Sequence, residues 1–363
     1  MRVLLSCGGT GGHIYPAISI ADKIKEHHPE AEILFIGTRS GMENRLVPAA
    51  GYEIRGIDAS GFDRHSLLGN VKTVENLIKG GREAARIISE FAPDIAIGTG
   101  GYVTGSVMLR AHRYGARCYI HEQNAVPGVT NKLLEPYVDR IFISFEQSAS
   151  EFRHPEKTVL TGNPVRAAFS SLDREACRAK IGASEGEAVL LLFGGSLGAG
   201  ILNEAALDLI PNMPEKGLRF IFVTGRRYYG EIMERLEETD IPASVTVMDY
   251  ADDMPSLMAA ADIVVSRAGA IAVSEILVSG KASVLVPSPN VTNDHQYKNA
   301  KAVADEGAAL LLRDAELEED PSLLRRRVTE LLGKPGALEE MRRNASRIAK
   351  PDAAEKIYQG LEI

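Results

Sequence analysis

The sequence predicts two doubly wound α/β domains, each a parallel sheet with helices on both faces. Short apolar segments alternate with helix-like segments along the chain, a pattern typical of parallel sheets. The alternation breaks at about residues 170–183 and begins again at residue 188. A chain of 363 residues also exceeds what one hydrophobic core usually serves, which favours two domains.

Six strands are predicted in each half of the chain. In the first half they are residues 3–7, 33–36, 52–57, 95–97, 118–121 and 141–144. In the second half they are residues 188–193, 220–223, 245–247, 263–265, 284–286 and 309–312. The predicted domains are residues 1–164 and 165–346, and we expect a helix at about residues 347–363 to pack back on the first domain.

Composition excludes several classes of protein. The three scattered cysteines form neither a disulfide framework nor a CxxC metal motif, so we expect a reducing cytoplasm. No apolar run approaches the roughly 18 residues of a membrane-spanning helix, and the first apolar run is too short for a signal peptide. The net charge is −8 and its acidic excess lies after residue 160, so neither half is basic. We therefore expect no nucleic-acid partner.

Three glycine clusters follow predicted strands. Residues 8–13 read GGTGGH and lead into a helical pattern, and residues 98–101 and 194–200 repeat this arrangement. Glycines between a strand and a helix let the backbone approach an anion, most often a phosphate, at the positive end of the helix dipole. The spacing departs from the GxGxxG dinucleotide fingerprint, and neither Gly-Lys pair is followed by Ser or Thr as in a P-loop. A turn without ligand explains any one cluster, but three together favour a phosphorylated ligand in a cleft between the domains.

Polar residues near these turns admit two interpretations each. His13 lies at a helix start, where the dipole disfavours the imidazolium, so it is either a neutral base or a capping histidine. Residues 121–124 (HEQN) follow a strand and form either a ligand-contacting loop or a structural one. Glu275, early in a predicted helix, is either a ligand for vicinal sugar hydroxyls or a solvated residue.

Six segments, taken in order, resemble the MurG family of bacterial transferases, which add N-acetylglucosamine to lipid I and make lipid II for peptidoglycan. They are residues 8–13, 98–103, 121–124, 162–166, 194–199 and 267–275. The resemblance extends from residue 8 to about residue 300, and after Arg313 only helical periodicity is recognised. It implies the GT-B glycosyltransferase fold.

The resemblance also implies which residues hold the substrates. The second domain would bind most of UDP-N-acetylglucosamine, and the first would bind the lipid-linked acceptor. The implied donor contacts are Thr10, Gly11, Gly12, Asn124, Arg166, Ser196, Ala251, Gly269, Ala270, Ile271, Glu275 and Gln296. The implied acceptor side comprises Gly101, Tyr102 and Gln123. His295 stands where the family often has a glutamine.

Inverting transfer needs a base for the acceptor hydroxyl and neutralisation of the departing diphosphate. His13 is the predicted base, with Glu122 and His121 as alternatives. The chain contains no Asp-x-Asp sequence, so we expect metal-independent transfer without a cofactor. Glycine-turn N–H groups, a helix N-terminus and Arg166 would neutralise the leaving group.

The expected location is peripheral, on the cytoplasmic face of the cell membrane. Residues 61–86 interleave apolar and basic side chains, which suits either an anionic membrane surface or a helix packed on the sheet. Other cell-wall synthesis proteins are candidate partners. Three alternative functions remain open: a UDP-N-acetylglucosamine 2-epimerase of the same architecture, a diacylglycerol glycosyltransferase, and a non-enzymatic nucleotide-binding module.

Overall fold

The computed structural model describes residues 1–59, 67–195, 197–214 and 216–363, and within residues 67–78 it describes the backbone alone. The chain forms two compact units. Unit 1 comprises Met1–Arg166 and Pro351–Ile363, and unit 2 comprises Ala167–Lys350. The first boundary therefore lies two residues after the predicted one, and the chain returns to unit 1 at Pro351 rather than at about residue 347.

Unit 1 contains one parallel sheet with helices between its strands. Its strands are β1 (Arg2–Cys7), β2 (Glu32–Thr38), β3 (Glu53–Ile57), β4 (Ile95–Gly100), β5 (Arg117–Glu122), β6 (Arg140–Ile143) and β7 (Thr158–Leu160). Its helices are α1 (Gly11–His27), α2 (Glu43–Ala49), α3 (Leu67–Phe91), α4 (Tyr102–Tyr114) and α5 (Val129–Leu134), together with a helix from the chain's end.

The order of the strands in this sheet is β3-β2-β1-β4-β5-β6-β7, and every pairing is parallel. The order reverses between β1 and β4, and the carboxyl ends of strands at such a point are where doubly wound sheets bind ligands. The register shifts after Ser6, so that Cys7 lies beside Gly100. The glycine clusters after β1 and at the end of β4 are therefore neighbours at the reversal.

Unit 2 repeats this architecture. Its strands are β8 (Ala188–Phe193), β9 (Leu218–Val223), β10 (Val245–Met248), β11 (Ile263–Ser266), β12 (Ala282–Leu285) and β13 (Leu310–Leu311). The helices up to residue 278 are α6 (Ala168–Ser171), α7 (Arg174–Lys180), α8 (Gly200–Leu209), α9 (Tyr229–Leu236), α10 (Met254–Ala260) and α11 (Ala270–Val278). The remaining helices are α12 (His295–Ala304), α13 (Asp314–Glu319), α14 (Leu323–Gly333) and α15 (Ala337–Ile348). The order β10-β9-β8-β11-β12-β13 reverses between β8 and β11.

The buried strands of unit 2 explain why helices cover both faces of its sheet. Leu190 and Leu192 on β8 pack into one hydrophobic cluster, whereas Val189 and Leu191 pack into another on the opposite face. Such continuous apolar strands are typical of a parallel sheet covered on both sides.

The chain's last helix, α16 (Ala353–Gly360), belongs to unit 1. Ile357 and Leu361 are fully buried in the cluster that holds Val3, Leu5 and the apolar face of α1. The Tyr119 hydroxyl at the same place donates to the carbonyl of Leu361 (2.5 Å). Among the helices of the described residues, none is long and apolar enough to cross a membrane.

Candidate active site

The first predicted anion site lies where β1 runs into α1. Helix α1 begins at Gly11, and its N-cap residue Thr10 has extended backbone angles (φ −125°, ψ 160°). The first-turn N–H groups of a helix have no intrahelical acceptor, so α1 presents donors and the positive end of its dipole here. Thr10 is exposed, and Gly11 and Gly12 are half-buried. This end of the helix is therefore accessible to a ligand.

A buried carboxylate, that of Glu43, contacts this turn. Glu43 is fully buried and accepts hydrogen bonds from the backbone N–H and the hydroxyl of Thr38, at 2.8 and 2.6 Å. Its other oxygen lies 3.4 Å from the backbone nitrogen of Gly9. Glu43 escaped prediction because it lies on α2, more than thirty residues along the chain, where nothing in the sequence distinguishes it from an exposed helical glutamate.

His13 lies half-buried in the first turn of α1. Its Nδ1 is 3.0 Å from the Thr99 carbonyl oxygen and 3.1 Å from Oε1 of Gln123. The Thr99 hydroxyl donates to the His13 carbonyl (2.8 Å), which ties the end of β4 to the start of α1. Of the three predicted candidates for the base, His13 has the greatest access to solvent.

His121 is fully buried beneath this site. Its Nε2 is 3.0 Å from the Gly162 carbonyl oxygen, and its Nδ1 is 3.0 Å from Nε2 of Gln123. Burial lowers the pKa of its imidazole to about 4, with the Gly162 hydrogen bond opposing the shift and His13 adding to it. His121 is therefore neutral at pH 7.

Glu122 organises the loop that follows β5. Its side chain is buried, and Oε1 accepts from the Asn124 backbone nitrogen (2.9 Å). Oε2 accepts from the Gly128 backbone nitrogen (2.9 Å) and from the Asn131 amide (2.8 Å). These three hydrogen bonds hold the loop in place. Asn124, a predicted contact of UDP-N-acetylglucosamine, is half-buried within the loop.

The predicted acceptor-side residues have different exposures. Tyr102 is 67% exposed at the start of α4, and Gly101 before it is half-buried. Gln123 is buried, with its amide nitrogen 2.7 Å from the Thr99 carbonyl oxygen. The Arg166 guanidinium, predicted to lie near the nucleotide, lies over the ring of Tyr15 on α1, 5.0 Å from its centroid.

In unit 2 the glycine turn between β8 and α8 borders a cavity of about 540 Å³. The turn from β8 to α8 forms one wall, and Gly269, the N-cap residue of α11, lies on another. Two of the predicted donor contacts, Gly269 and Gln296, line the cavity. Gln296 accepts a hydrogen bond from the backbone nitrogen of Ser288 (2.9 Å), which fixes its carboxamide. The cavity thus lies beside the starts of two helices, where an anion is favoured.

Arg267 and Asp314, which sequence reasoning did not assign, also line this cavity. Both side chains are largely buried and form a two-point ion pair, with Arg267 Nη2 3.0 Å from Asp314 Oδ2. Arg267 also donates to the Val286 carbonyl (3.1 Å). Arg267 belongs to a segment that carries the family resemblance, but Asp314 has no local signal because its partner lies 47 residues away.

The remaining predicted donor contacts of unit 2 lie around α11. Ala270 and Ile271 are buried in its first turn, Glu275 is half-buried farther along, and Ala251 packs in the core with Met258 and Val264. Ser196 lies outside the described residues. Among the residues described, no group of three or more His, Cys, Asp or Glu side chains is arranged to hold a metal ion.

Comparisons with known proteins match both units. The model of the glycosyltransferase family 28 N-terminal domain matches residues 3–143, and that of the family 28 C-terminal domain matches residues 189–357.

A named relative, from Alkaliphilus oremlandii (strain OhILAs), is UDP-N-acetylglucosamine–N-acetylmuramyl-(pentapeptide) pyrophosphoryl-undecaprenol N-acetylglucosamine transferase. It is 42% identical over 362 residues, covering 100% of this chain and 98% of the relative. A transferase of the same name from Bacillus anthracis is 43% identical over 361 residues, covering 99% and 98% of the two chains.

Two solved structures extend the comparison. MurG of Acinetobacter baumannii aligns with a TM-score of 0.76 at 29% identity, covering 99% of each chain. The UDP-GlcNAc 2-epimerase of Neisseria meningitidis aligns with a TM-score of 0.70 at 15% identity over the whole of both chains, a likeness of fold alone. The predicted GT-B fold is therefore confirmed, and the chain belongs to the MurG family of glycosyltransferases, the UDP-N-acetylglucosamine–N-acetylmuramyl-(pentapeptide) pyrophosphoryl-undecaprenol N-acetylglucosamine transferases.

Proposed function

We propose that this enzyme transfers N-acetylglucosamine from UDP-N-acetylglucosamine to the muramyl 4-hydroxyl of lipid I, giving lipid II with inversion at the anomeric carbon. The full-length relatives carry the name of this activity. The observation that carries the proposal is His13, an accessible imidazole at a helix N-terminus whose Nδ1 is engaged by two oxygen atoms.

In the proposed reaction His13 Nε2 removes the proton of the 4-hydroxyl as its oxygen attacks the anomeric carbon. The new bond joins this oxygen to the anomeric carbon, and the bond from that carbon to the diphosphate oxygen breaks. The products are lipid II, UDP and the His13 imidazolium, which returns its proton to water. General base catalysis of this kind contributes about 10² to 10⁴ in rate.

The donor nucleotide is proposed to bind the cavity of unit 2. Its diphosphate would receive hydrogen bonds from the glycine turn before α8 and charge stabilisation from the starts of α8 and α11. Arg267 on the cavity wall adds a guanidinium, although Asp314 already neutralises it. Glu275 is the proposed partner of the ribose hydroxyls, as the family resemblance implies.

This arrangement neutralises the departing diphosphate with backbone dipoles, so we propose that transfer needs no metal ion and no cofactor. The chain also contains no Asp-x-Asp sequence. Turnover should persist in EDTA at the rate measured with Mg²⁺. Loss of turnover in EDTA that Mg²⁺ restores would contradict metal independence without touching the choice of substrates.

The deciding experiment supplies UDP-N-acetylglucosamine to the pure enzyme with lipid I, with diacylglycerol and with no acceptor. Of these three conditions, we expect UDP release only with lipid I. Isomerisation of the sugar without acceptor would instead show the epimerase, and transfer to diacylglycerol would show a glycolipid synthase. Binding without turnover under all three conditions would leave a nucleotide-binding module.

His13→Ala tests the proposed base. Because Nε2 removes a proton only in the transition state, kcat should fall about 10² to 10⁴-fold while the Kd for UDP stays within twofold. Glu135→Gln, an isosteric change at a buried carboxylate elsewhere in unit 1, is the matched control. Near-normal turnover of His13→Ala would remove His13 from the mechanism.

We further propose that the enzyme works at the cytoplasmic face of the cell membrane without spanning it, because the acceptor carries a polyprenyl chain. The predicted membrane segment, residues 61–86, lies partly outside the described residues. Flotation with vesicles containing anionic phospholipid, compared with zwitterionic vesicles, tests the location. If the enzyme is recovered equally in the unbound fraction with the two kinds of vesicle, the proposed membrane location is contradicted.

A further inference from the structure

We propose that Gln123 is a positioning residue which, together with Thr99 and His121, fixes the tautomer of His13. In this tautomer the proton resides on Nδ1 and the lone pair on Nε2. The catalytic meaning of this assignment rests on the proposed function, but the tautomer itself is a property of the protein alone. Gln123 is 2% exposed, so it acts from beneath the site and not on a substrate.

The orientation of the Gln123 amide follows from its surroundings. Its Nε2 lies 2.7 Å from the Thr99 carbonyl oxygen and 3.2 Å from the His121 carbonyl oxygen. Carbonyl oxygens only accept hydrogen bonds, so the NH₂ end of the amide must face them. The opposite end, Oε1, is therefore the atom that faces His13, at 3.1 Å from Nδ1.

The protonation of His13 follows in turn. Its Nδ1 faces the Thr99 carbonyl oxygen at 3.0 Å as well as Oε1 of Gln123. Neither oxygen has a proton to give, so a lone pair on Nδ1 would meet two acceptors. The neutral imidazole consequently carries its proton on Nδ1, which leaves the lone pair on Nε2.

His121 completes the chain of hydrogen bonds. Its Nε2 faces the Gly162 carbonyl oxygen at 3.0 Å, so this nitrogen carries the proton. Its Nδ1 therefore carries a lone pair and is a further acceptor for the Gln123 amide nitrogen, at 3.0 Å. Because burial lowers the pKa of His121, the imidazole stays neutral and keeps this lone pair at pH 7. Every donor from Gly162 to His13 thus faces an acceptor.

This chain favours the base in both of its states. Before proton transfer it places the lone pair of His13 on Nε2, the nitrogen that must receive the proton. After transfer the imidazolium keeps its Nδ1–H bonded to Gln123 and Thr99, so two oxygen acceptors stabilise the new positive charge. The other tautomer would present an N–H group to the hydroxyl and accept no proton there.

The test combines two Gln123 variants with NMR of histidine labelled with ¹⁵N, in which the ring-nitrogen shifts report the tautomer. The His13→Ala spectrum identifies the His13 signals. Wild-type His13 should show a protonated Nδ1 and an unprotonated Nε2. Gln123→Met removes the acceptor at similar length, and we expect a mixture of tautomers, a kcat at least about tenfold lower and an unchanged Kd for UDP.

The pH profile of kcat distinguishes positioning from mere support of the fold. Gln123→Met removes an acceptor from the imidazolium, so the acidic limb should move to lower pH. In Gln123→Glu the oxygen that replaces the NH₂ group faces the Thr99 and His121 carbonyl oxygens, so we expect this carboxyl group to be protonated. Its other oxygen still accepts from Nδ1 of His13, so the tautomer, the acidic limb and turnover should stay closer to those of the wild type than in the methionine variant. Glu135→Gln should leave the tautomer, the profile and kcat as in the wild type.

A protonated Nε2 in wild-type His13 would overturn the assignment, as would an unchanged tautomer in Gln123→Met. A fall in kcat of Gln123→Met without a shift of its profile would show a structural role only and would also overturn it. The wild-type spectrum and Gln123→Glu decide the matter even if Gln123→Met does not fold. Failure of the proposed function is distinguishable: the expected tautomer would be found in a protein that does not glycosylate lipid I.

Discussion

Gly100 is the residue that makes room for the His13 imidazole. Its backbone has φ +116°, and a Cβ at this position would lie 2.5 Å from Nδ1 of His13. Since a Cβ atom cannot lie that close to an atom to which it is not bonded, any side chain would push the imidazole off Gln123 and Thr99. A glycine at the end of β4 therefore has a specific role that a turn alone would not demand.

Gly100→Ala should consequently lower kcat by about 10²-fold, the effect of a displacement of about 1 Å at a reacting group. Gly115→Ala is a closely matched control, because Gly115 has φ +100° and nothing lies within 4 Å of its Cβ position. Both variants carry backbone strain from a positive φ, so a difference in kcat between them reports the clash with the His13 imidazole. Equal kcat values would show that the alanine methyl group does not displace His13.

The free energy of unfolding should depend on pH through the protonation of the His121 imidazole. Its pKa is about 4 in the folded chain and about 6.5 when unfolded, so between these values the unfolded state binds more protons. The stabilisation is complete above pH 6.5 and is lost as the pH falls towards 4, by up to about 3 kcal/mol at 1.36 kcal/mol per pKa unit.

Chemical denaturation at pH 7 and at pH 4.5 should therefore show a smaller pH-dependent loss of unfolding free energy in His121→Gln than in the wild type. His112→Gln, which removes an exposed imidazole, is the control. A His121→Gln variant with the wild-type pH dependence would mean that folding does not lower the pKa of His121.

At the scale of elements, the turn between β8 and α8 is shaped by contact with the end of β9. Gly198 has φ +75°, and a Cβ there would lie 2.3 Å from the Thr224 carbonyl oxygen and 2.9 Å from the Tyr228 ring. The turn can pass this strand only without a side chain at Gly198. The same turn lines the cavity proposed for the diphosphate.

Gly198→Ala should therefore displace the turn and raise the Kd for UDP at least about tenfold, or 1.4 kcal/mol, by isothermal titration. Gly217→Ala controls for backbone strain, since Gly217 has φ +89° with nothing within 4 Å of its Cβ position and lies outside the cavity. Unchanged UDP affinity in Gly198→Ala would place the diphosphate elsewhere in unit 2.

The sequence alone located strands in the interior and at the edges of both sheets. All twelve predicted strands are present within a few residues, with the edge strands β3, β10 and β13 among them. Strand β7 (Thr158–Leu160), a three-residue strand at the edge of the sheet, was not predicted. Its hydrogen bonds to β6 define it, and three residues carry no periodicity.

The candidate site was predictable in part, for a related reason. Glycine turns and the HEQN segment are local, so their types and order identified them. The hydrogen bond from His13 to Gln123 is not encoded locally, because His13 lies on α1 and Gln123 lies just after β5, 110 residues along the chain. The two residues meet only through the order of the strands in the sheet. Asp314, paired with Arg267, escaped prediction for the same reason.

At the scale of the whole molecule, the chain ends in the unit where it began. Gly360 at the end of α16 packs so closely on Phe142 of β6 that a Cβ would lie 2.5 Å from its ring. Arg140 also donates to the Gly360 carbonyl (3.4 Å). The core of unit 1 therefore includes a segment that follows the whole of unit 2 in the sequence, and unit 1 is complete only when the chain's end is in place.

Ile357→Ala tests this dependence. Ile357 is fully buried on α16, and truncating such a side chain usually costs about 2–5 kcal/mol because a cavity remains. Hydrogen exchange should show protection lost in β1, β4 and β5 of unit 1 before β8 and β11 of unit 2. Ile363→Ala, at a 39% exposed isoleucine of the same segment, should change the unfolding free energy by no more than about 0.5 kcal/mol. If both variants behave alike, α16 contributes little to unit 1, and its burial there does not stabilise the fold.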